Sequence, residues 1–191
     1  MKACSFFGHR EIEVTEALIR EVDKQIEYLI EEKGVKTFLF GSQSQFDELC
    51  LERVTKLREK YPDIKRVAYP LKSEYENLQE VKNGAERELR DVTKEVVCFA
   101  YEEKVKLNQY AKAEFDAFAE RNEAMIFDSE YCIFYYNPDY LPPKQKRFKW
   151  SMKKYQPRSG TDLAYMFAVI RKVIGHPLEI INVWSILNQS K

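Results

Sequence analysis

Glycine is scarce in this chain of 191 residues, with six in all, and no G-x-G-x-x-G run occurs among them. The glycine fingerprint of dinucleotide dehydrogenases is thereby excluded, because that turn needs three glycines at fixed spacing to admit a pyrophosphate. A Walker loop, a G-x-S-x-G elbow and a zinc-ligand spacing are also missing, so no metal is expected. The four cysteines, Cys4, Cys50, Cys98 and Cys132, form no C-x-x-C pair. Three of them lie in or beside apolar runs, where a reduced, buried thiol is expected. Net charge is absent too: Lys+Arg 31 against Asp+Glu 31 leaves no global field to steer the chain toward nucleic acid or an anionic membrane. No apolar run approaches membrane-spanning length, and Met1–Phe7 is too short in apolar residues for a signal peptide. A soluble cytoplasmic protein with no membrane partner is the expectation.

What the chain does contain is a 45% hydrophobic, 14% aromatic composition, enough to bury a substantial core. Short apolar runs alternate with amphipathic stretches. Ala3–Phe7, Thr37–Phe40, Ile64–Tyr69, Glu95–Phe99, Tyr131–Tyr136 and Glu179–Val183 read as strands. Helical spacing joins Val14 to Ile30, with Gly34 as the stop, and a second helix runs from Gln45 to Lys60. Residues 74–92 predict a charged helix. Leu107 to Phe118 predicts another, with Phe115 and Phe118 facing the core, and 162–174 predicts a last one. Strands alternating with helices indicate an α/β fold of Rossmann-like, three-layer form, a mainly parallel sheet flanked by helices. No linker divides the chain, so residues 1–191 read as one domain with a basic loop at about 140–158.

Three turns each follow an apolar run and precede a helix: Phe7-Gly8-His9-Arg10, Phe40-Gly41-Ser42-Gln43-Ser44, and Arg158-Ser159-Gly160-Thr161-Asp162. In a parallel sheet all three belong beyond the carboxyl ends of the strands, where ligands collect. Ser159-Gly160-Thr161 opens a helix with unpaired N–H groups, hydroxyls and a positive dipole end, which suits a phosphate or another anion. Gly8 could cradle a ligand with backbone while Arg10 offers a forked donor; a tight turn with an exposed Arg accounts for the same residues. His9 titrates near neutrality and could serve as acid or base, or hold a structural hydrogen bond. Ser42 and Asp47 could meet ribose or phosphate, yet Ser44 capping the helix and Asp47 complementing its dipole explain the pattern as well. Arg121 and Asn122 could form the C-terminus of the long helix. Tyr140–Thr161 holds seven basic residues (Lys144, Lys146, Arg147, Lys149, Lys153, Lys154, Arg158) and no acid, interleaved with Phe148, Trp150 and Tyr155. It reads as a lid over an anionic ligand, a single-stranded nucleic-acid patch, or a solvated loop.

These segments resemble the SLOG superfamily, the Rossmann-like group containing the LOG and DprA proteins, and within it the YpsA-like branch. Cys4-Ser5-Phe6-Phe7-Gly8-His9-Arg10 is similar to its FTGHR opening, and Gly41–Asp47 occupies the place of GGALGFD. Lys60-Tyr61-Pro62-Asp63-Ile64 resembles KYPDI. Arg121–Ile126 with Asp128–Glu130 resembles RNRWMVDxSD, and Ser159-Gly160-Thr161 with Ile180–Val183 resembles GGT…IIN. The resemblance covers nearly the whole chain. It implies a cleft for a nucleotide or nucleotide-derived small molecule lined by Gly8, Arg10, Gly41, Ser42, Asp47, Arg121, Asn122, Ser159, Gly160 and Thr161, and a homodimer through helices.

Two departures bear on that cleft. Ser42 and Gln45 replace glycines of the second turn, which narrows the backbone cradle. Asp162 places a negative charge in the first turn of the proposed anion-binding helix, where it offsets the dipole's attraction for phosphate. The LOG enzymes carry an acid where this chain has Ala164, which counts against N-glycosidic cleavage. The expectation is therefore a nucleotide sensor or binding module. A hydrolase with Asp47 or His9 as acid or base, and nucleic-acid binding through the basic loop, are the alternatives.

Overall fold

A computed structural model describes residues 2–41, 44–72, 101–107, 109, 114–140 and 159–189. Among these residues six strands form one parallel sheet: β1 (Ala3–Gly8), β2 (Thr37–Phe40), β3 (Lys65–Ala68), β4 (Glu103–Lys104), β5 (Tyr131–Tyr135) and β6 (Glu179–Asn182). Their order is β4-β3-β2-β1-β5-β6. Among the described residues five helices flank the sheet: α1 (Glu16–Glu31), α2 (Gln45–Leu57), α3 (Glu114–Phe127), α4 (Gly160–Val173) and α5 (Val183–Gln189). The Rossmann-like α/β layout expected from the alternation is the one observed.

The central strands are apolar on both faces because both are covered. Successive β1 side chains serve opposite sides: Cys4 and Phe6 enter one core, Ala3 and Phe7 the other. The first core is closed by α1, α2 and α5, through Leu18, Val22, Ile26, Leu29, Phe46, Cys50, Val54 and Val183. The second is closed by α3 and α4, through Met125, Ile126, Ala164 and Ala168. In α1 the buried set repeats at helical spacing, and Thr15 caps the start by accepting from the Leu18 N–H at 3.2 Å. Gly34, at φ 70°, then turns the chain so that the Val35 N–H reaches back to the Leu29 carbonyl at 2.9 Å.

Several boundaries differ from the sequence reading. Leu107 lies in irregular backbone ahead of α3. That helix runs on through Arg121 and Asn122 to Phe127, so these two residues do not form its C-terminus. Met125 and Ile126 continue the buried stripe, and burial against the sheet carries the helix further. Val183, read as the end of a strand, opens α5 instead, where the Asn182 side chain donates to Ser185 Oγ at 2.8 Å. β4 is two polar residues long and gave no apolar signal. The helix expected at 74–92 and the strand at Glu95–Phe99 lie outside the described residues.

The chain builds outward from β1 to β4, then returns to the other side of β1 with β5 and β6. The connection leaving β1 covers one face (α1), and the helix following β5 (α4) covers the other. The carboxyl ends of β1 and β5 therefore flank the point where the winding reverses, which opens a crevice in a sheet of this kind.

Candidate functional site

Elements converge at that crevice through named bonds. Ser159 caps α4, its Oγ accepting from the Asp162 N–H at 3.1 Å. Thr161, in the first turn, donates from Oγ1 to the Gly8 carbonyl at 2.7 Å, which fastens the start of α4 to the end of β1 across 153 residues of sequence. An ideal Cβ on Gly160 meets nothing within 4 Å among the described residues.

Gly8 and Gly41 sit in the opposite situation. A Cβ on Gly8 would lie 2.3 Å from Phe46 Cβ, in the first turn of α2, so β1 and α2 approach as closely as they do because no side chain intervenes. The Gln45 N–H completes that junction by donating to the Arg10 carbonyl at 3.1 Å. A Cβ on Gly41 would lie 3.1 to 3.3 Å from Arg121 Nε and Cζ and Met125 Sδ. Arg121 is buried and donates from Nη1 to the Gly41 carbonyl at 2.6 Å, with its guanidinium 5.2 Å from the centre of the Phe118 ring. Asp47, also buried, accepts from the Gly41 N–H at 3.4 Å, while its own N–H donates to Ser44 Oγ at 3.1 Å. The second turn is thus held from both sides, by an acid on its amide and a guanidinium on its carbonyl.

His9 follows Gly8 and is 2% exposed. Its Nε2 accepts from the Asn137 N–H at 3.0 Å, so Nδ1 carries the proton. That Nδ1 has no hydrogen-bond partner among the described residues. The Tyr140 ring stacks on the imidazole at 3.9 Å. Burial lowers the His9 pKa to about 4, outweighing the opposing effects of the Asn137 backbone contact and, after it, the Asp162 charge, so the ring is neutral at physiological pH.

Beyond β5 the wall is aromatic. Tyr136 donates from its hydroxyl to Asp162 Oδ1 at 2.7 Å and stacks on Tyr165 at 4.3 Å. Asn182, at the end of β6, holds Tyr136 by its backbone: the Tyr136 N–H donates to Asn182 Oδ1 at 3.1 Å, and Asn182 Nδ2 donates to the Tyr136 carbonyl at 2.9 Å. The Asp162 carboxylate therefore faces a phenolic donor within the protein as well as the first turn of α4.

The crevice gathers Gly8, His9, Ser159, Gly160 and Thr161, and Arg10 lies exposed at its rim. Gly41, Asp47 and Arg121 form an adjoining cluster at the end of β2. Asn122 is half-buried, one position on from Arg121 and so about 100° around α3. Ser42 and the basic loop from Lys144 to Arg158 lie outside the described residues. Sequence reasoning passed over Tyr136, Asn137 and Tyr140. A Tyr-Tyr-Asn-Pro run leaving a strand at the crevice is the signal that could have found them.

The sequence model described as the YspA SLOG family matches residues 4–169. The chain belongs to this family. No curated protein gives a significant match. The matched span contains both anchors of this SLOG protein's crevice, from the Gly8 turn to the first turn of α4. At Ala164, where the LOG-type acid would stand, the side chain is fully buried beneath α4 against the sheet. Among the described residues no three of His, Cys, Asp and Glu gather as a metal site requires, and no helix is long and apolar enough to cross a membrane.

Proposed function

We propose that this chain binds a nucleotide or nucleotide-derived ligand in the crevice between β1, β5 and the first turn of α4, acting as a sensor or binding module. The observation that carries the reading is the backbone at Gly160, uncovered by any of the described residues, on a turn locked to β1 by Thr161. Its amides sit at the positive end of a 14-residue helix, the arrangement that suits a phosphate or carboxylate. The tyrosines beyond β5 offer flat surfaces for a base. A hydrolase would need His9 or Asp47 to exchange protons, and each already holds a backbone amide.

Calorimetry with a panel of nucleotides and ADP-ribose derivatives tests the proposal, with wild type and Thr161→Val side by side. A member of the panel should bind wild type, and the valine variant should bind it more weakly as the turn loosens from β1. Absence of heat at millimolar ligand refutes the reading. Release of base or phosphate from the same panel would replace it with the hydrolase.

A further inference from the structure

β1 sends alternate side chains to opposite faces of the sheet. Ala3 and Phe7, and Ser5 through its 3.2 Å contact with Cys132 Sγ, serve the face that α3 and α4 cover. His9 continues that parity just beyond the strand. Its ring lies 6.2 Å from the Tyr136 ring and near enough to the Asp162 carboxylate to feel its charge. The residue before it is Gly8, whose carbonyl receives the Thr161 hydroxyl at 2.7 Å. His9 and the first turn of α4 therefore share one corner of the crevice. The imidazole is committed on one side. Nε2 accepts from the Asn137 N–H at 3.0 Å, which fixes a neutral ring with its proton on Nδ1. Nδ1 is buried without a hydrogen-bond partner among the described residues, on a side chain that is 2% exposed. A donor taken out of water with nothing to donate to is a net cost to the fold, and a single acceptor would remove it. The Asn137 bond does not require that donor, since glutamine would supply the same acceptor.

We infer that the Nδ1–H of His9 is the specificity-determining donor of the crevice, and that it orients an oxyanion, phosphate or carboxylate, held on the first turn of α4. The inference rests on the nucleotide reading above and adds a direction to it. A helix start attracts negative charge over a wide range of approach. A single N–H on a flat ring braced from behind by Asn137 is satisfied along one line. The neutral ring adds no positive charge, so its part is alignment and not attraction from a distance. Nδ1 can only donate in this tautomer, so it welcomes an oxyanion oxygen and refuses a group that presents a hydrogen of its own. Because Nδ1 is enclosed, the oxygen reaches it as the half-buried Tyr140 ring, stacked on the imidazole at 3.9 Å, shifts aside.

Two amide side chains divide the roles of the imidazole. In His9→Gln the carbonyl oxygen takes the place of Nε2 and keeps the Asn137 bond, but no donor stands at Nδ1. In His9→Asn the amide nitrogen stands at Nδ1 and the Asn137 bond is lost. Calorimetry of the full-length wild type and both variants at neutral pH is the test, with AMP, ADP-ribose and inorganic phosphate as probes. Whichever probe binds wild type should bind His9→Gln about tenfold or more weakly, the worth of a hydrogen bond to a charged group. His9→Asn should lose less affinity although its urea midpoint falls further. The reverse order, with glutamine binding as wild type does, shows that His9 merely braces Asn137; it overturns the inference and leaves the nucleotide reading standing. Adenosine, which carries no anion, is the control, and a comparable loss on adenosine overturns the assignment to an oxyanion. Nitrogen-15 NMR of wild type needs no variant: the Nδ1 proton should move downfield as the bound probe saturates the protein. Binding that leaves Nδ1 unchanged overturns the inference. Failure of all three probes to bind at millimolar concentration ends both readings together.

Discussion

Replacing Gly8 by alanine adds one methyl group at the junction of β1 with α2. That atom would lie 2.3 Å from Phe46 Cβ and 2.5 and 2.6 Å from two ring carbons. Favourable carbon contacts lie at about 3.5–4.0 Å, so the overlap exceeds about 1 Å. The closest atom is a Cβ, which moves only with the backbone of α2. That backbone is tied down by the Gln45 N–H on the Arg10 carbonyl and by the Ser44 cap. Overpacking a well-filled site costs about 1–3 kcal/mol, and the need to displace a helix start places Gly8→Ala at the upper end, near 3 kcal/mol. This is a large share of the ~5–15 kcal/mol that holds a domain together.

Urea denaturation followed by circular dichroism should show a lower midpoint at unchanged slope. Phe46→Ala, which itself costs about 3–5 kcal/mol, removes the ring but leaves the nearest atom in place. The double variant should therefore recover less than half of the Gly8→Ala loss. A loss below about 0.5 kcal/mol, the range of neutral surface changes, refutes the packing argument. Full rescue by Phe46→Ala refutes the claim that the backbone approach, and not the ring, is what demands glycine.

Two further perturbations address the crevice. The His9 pKa is lowered to about 4 from an ordinary 6.5, so as pH falls below 6.5 the unfolded chain takes up a proton before the folded one does. Stability should be level above pH 6.5 and fall toward pH 4. His9→Gln should flatten that slope in urea midpoints, and parallel curves for the two proteins would show that His9 is not its source. Asp162→Asn removes a charge from the first turn of α4 while keeping an acceptor for Tyr136. It should cost the helix about 0.3–1 kcal/mol and raise affinity for an anionic ligand up to about fivefold by calorimetry; unchanged affinity would show that the carboxylate does not face the ligand.

The fold was legible because each strand next to the sheet's centre is apolar on both faces and each long helix repeats its buried residues at one spacing. The register of β1 on β5 and β2 follows from the same burial, since a slip of one residue would turn Cys4 and Phe6 out of their core. β4 escaped notice because two polar residues carry no pattern. At the crevice, the turns could be read locally and the ties between them could not. Thr161 reaches Gly8 across 153 residues, Arg121 reaches Gly41 across 80, and His9 accepts from Asn137 across 128. No local window holds both partners of such a bond. The burial of His9 under Tyr140 is a tertiary fact of the same kind, and it changes an imidazole poised near neutrality into one held neutral.

Glycine use separates the three turns from one another. A protein with few glycines keeps them where a side chain would do harm, and at Gly8 and Gly41 the harm is internal, against Phe46 in one case and against Arg121 and Met125 in the other. Those two residues are explained by packing before any ligand is invoked. Gly160 is not. Its Cβ position is open among the described residues, and no positive φ is recorded there, so an alanine would fit without strain and would favour the helix it begins. Glycine at that place gives up helix stability and meets none of the described residues within 4 Å. On the reading proposed above, the gain comes from a ligand group that approaches the backbone closely, and the first turn of α4, with its dipole and amides, favours a group that is negative.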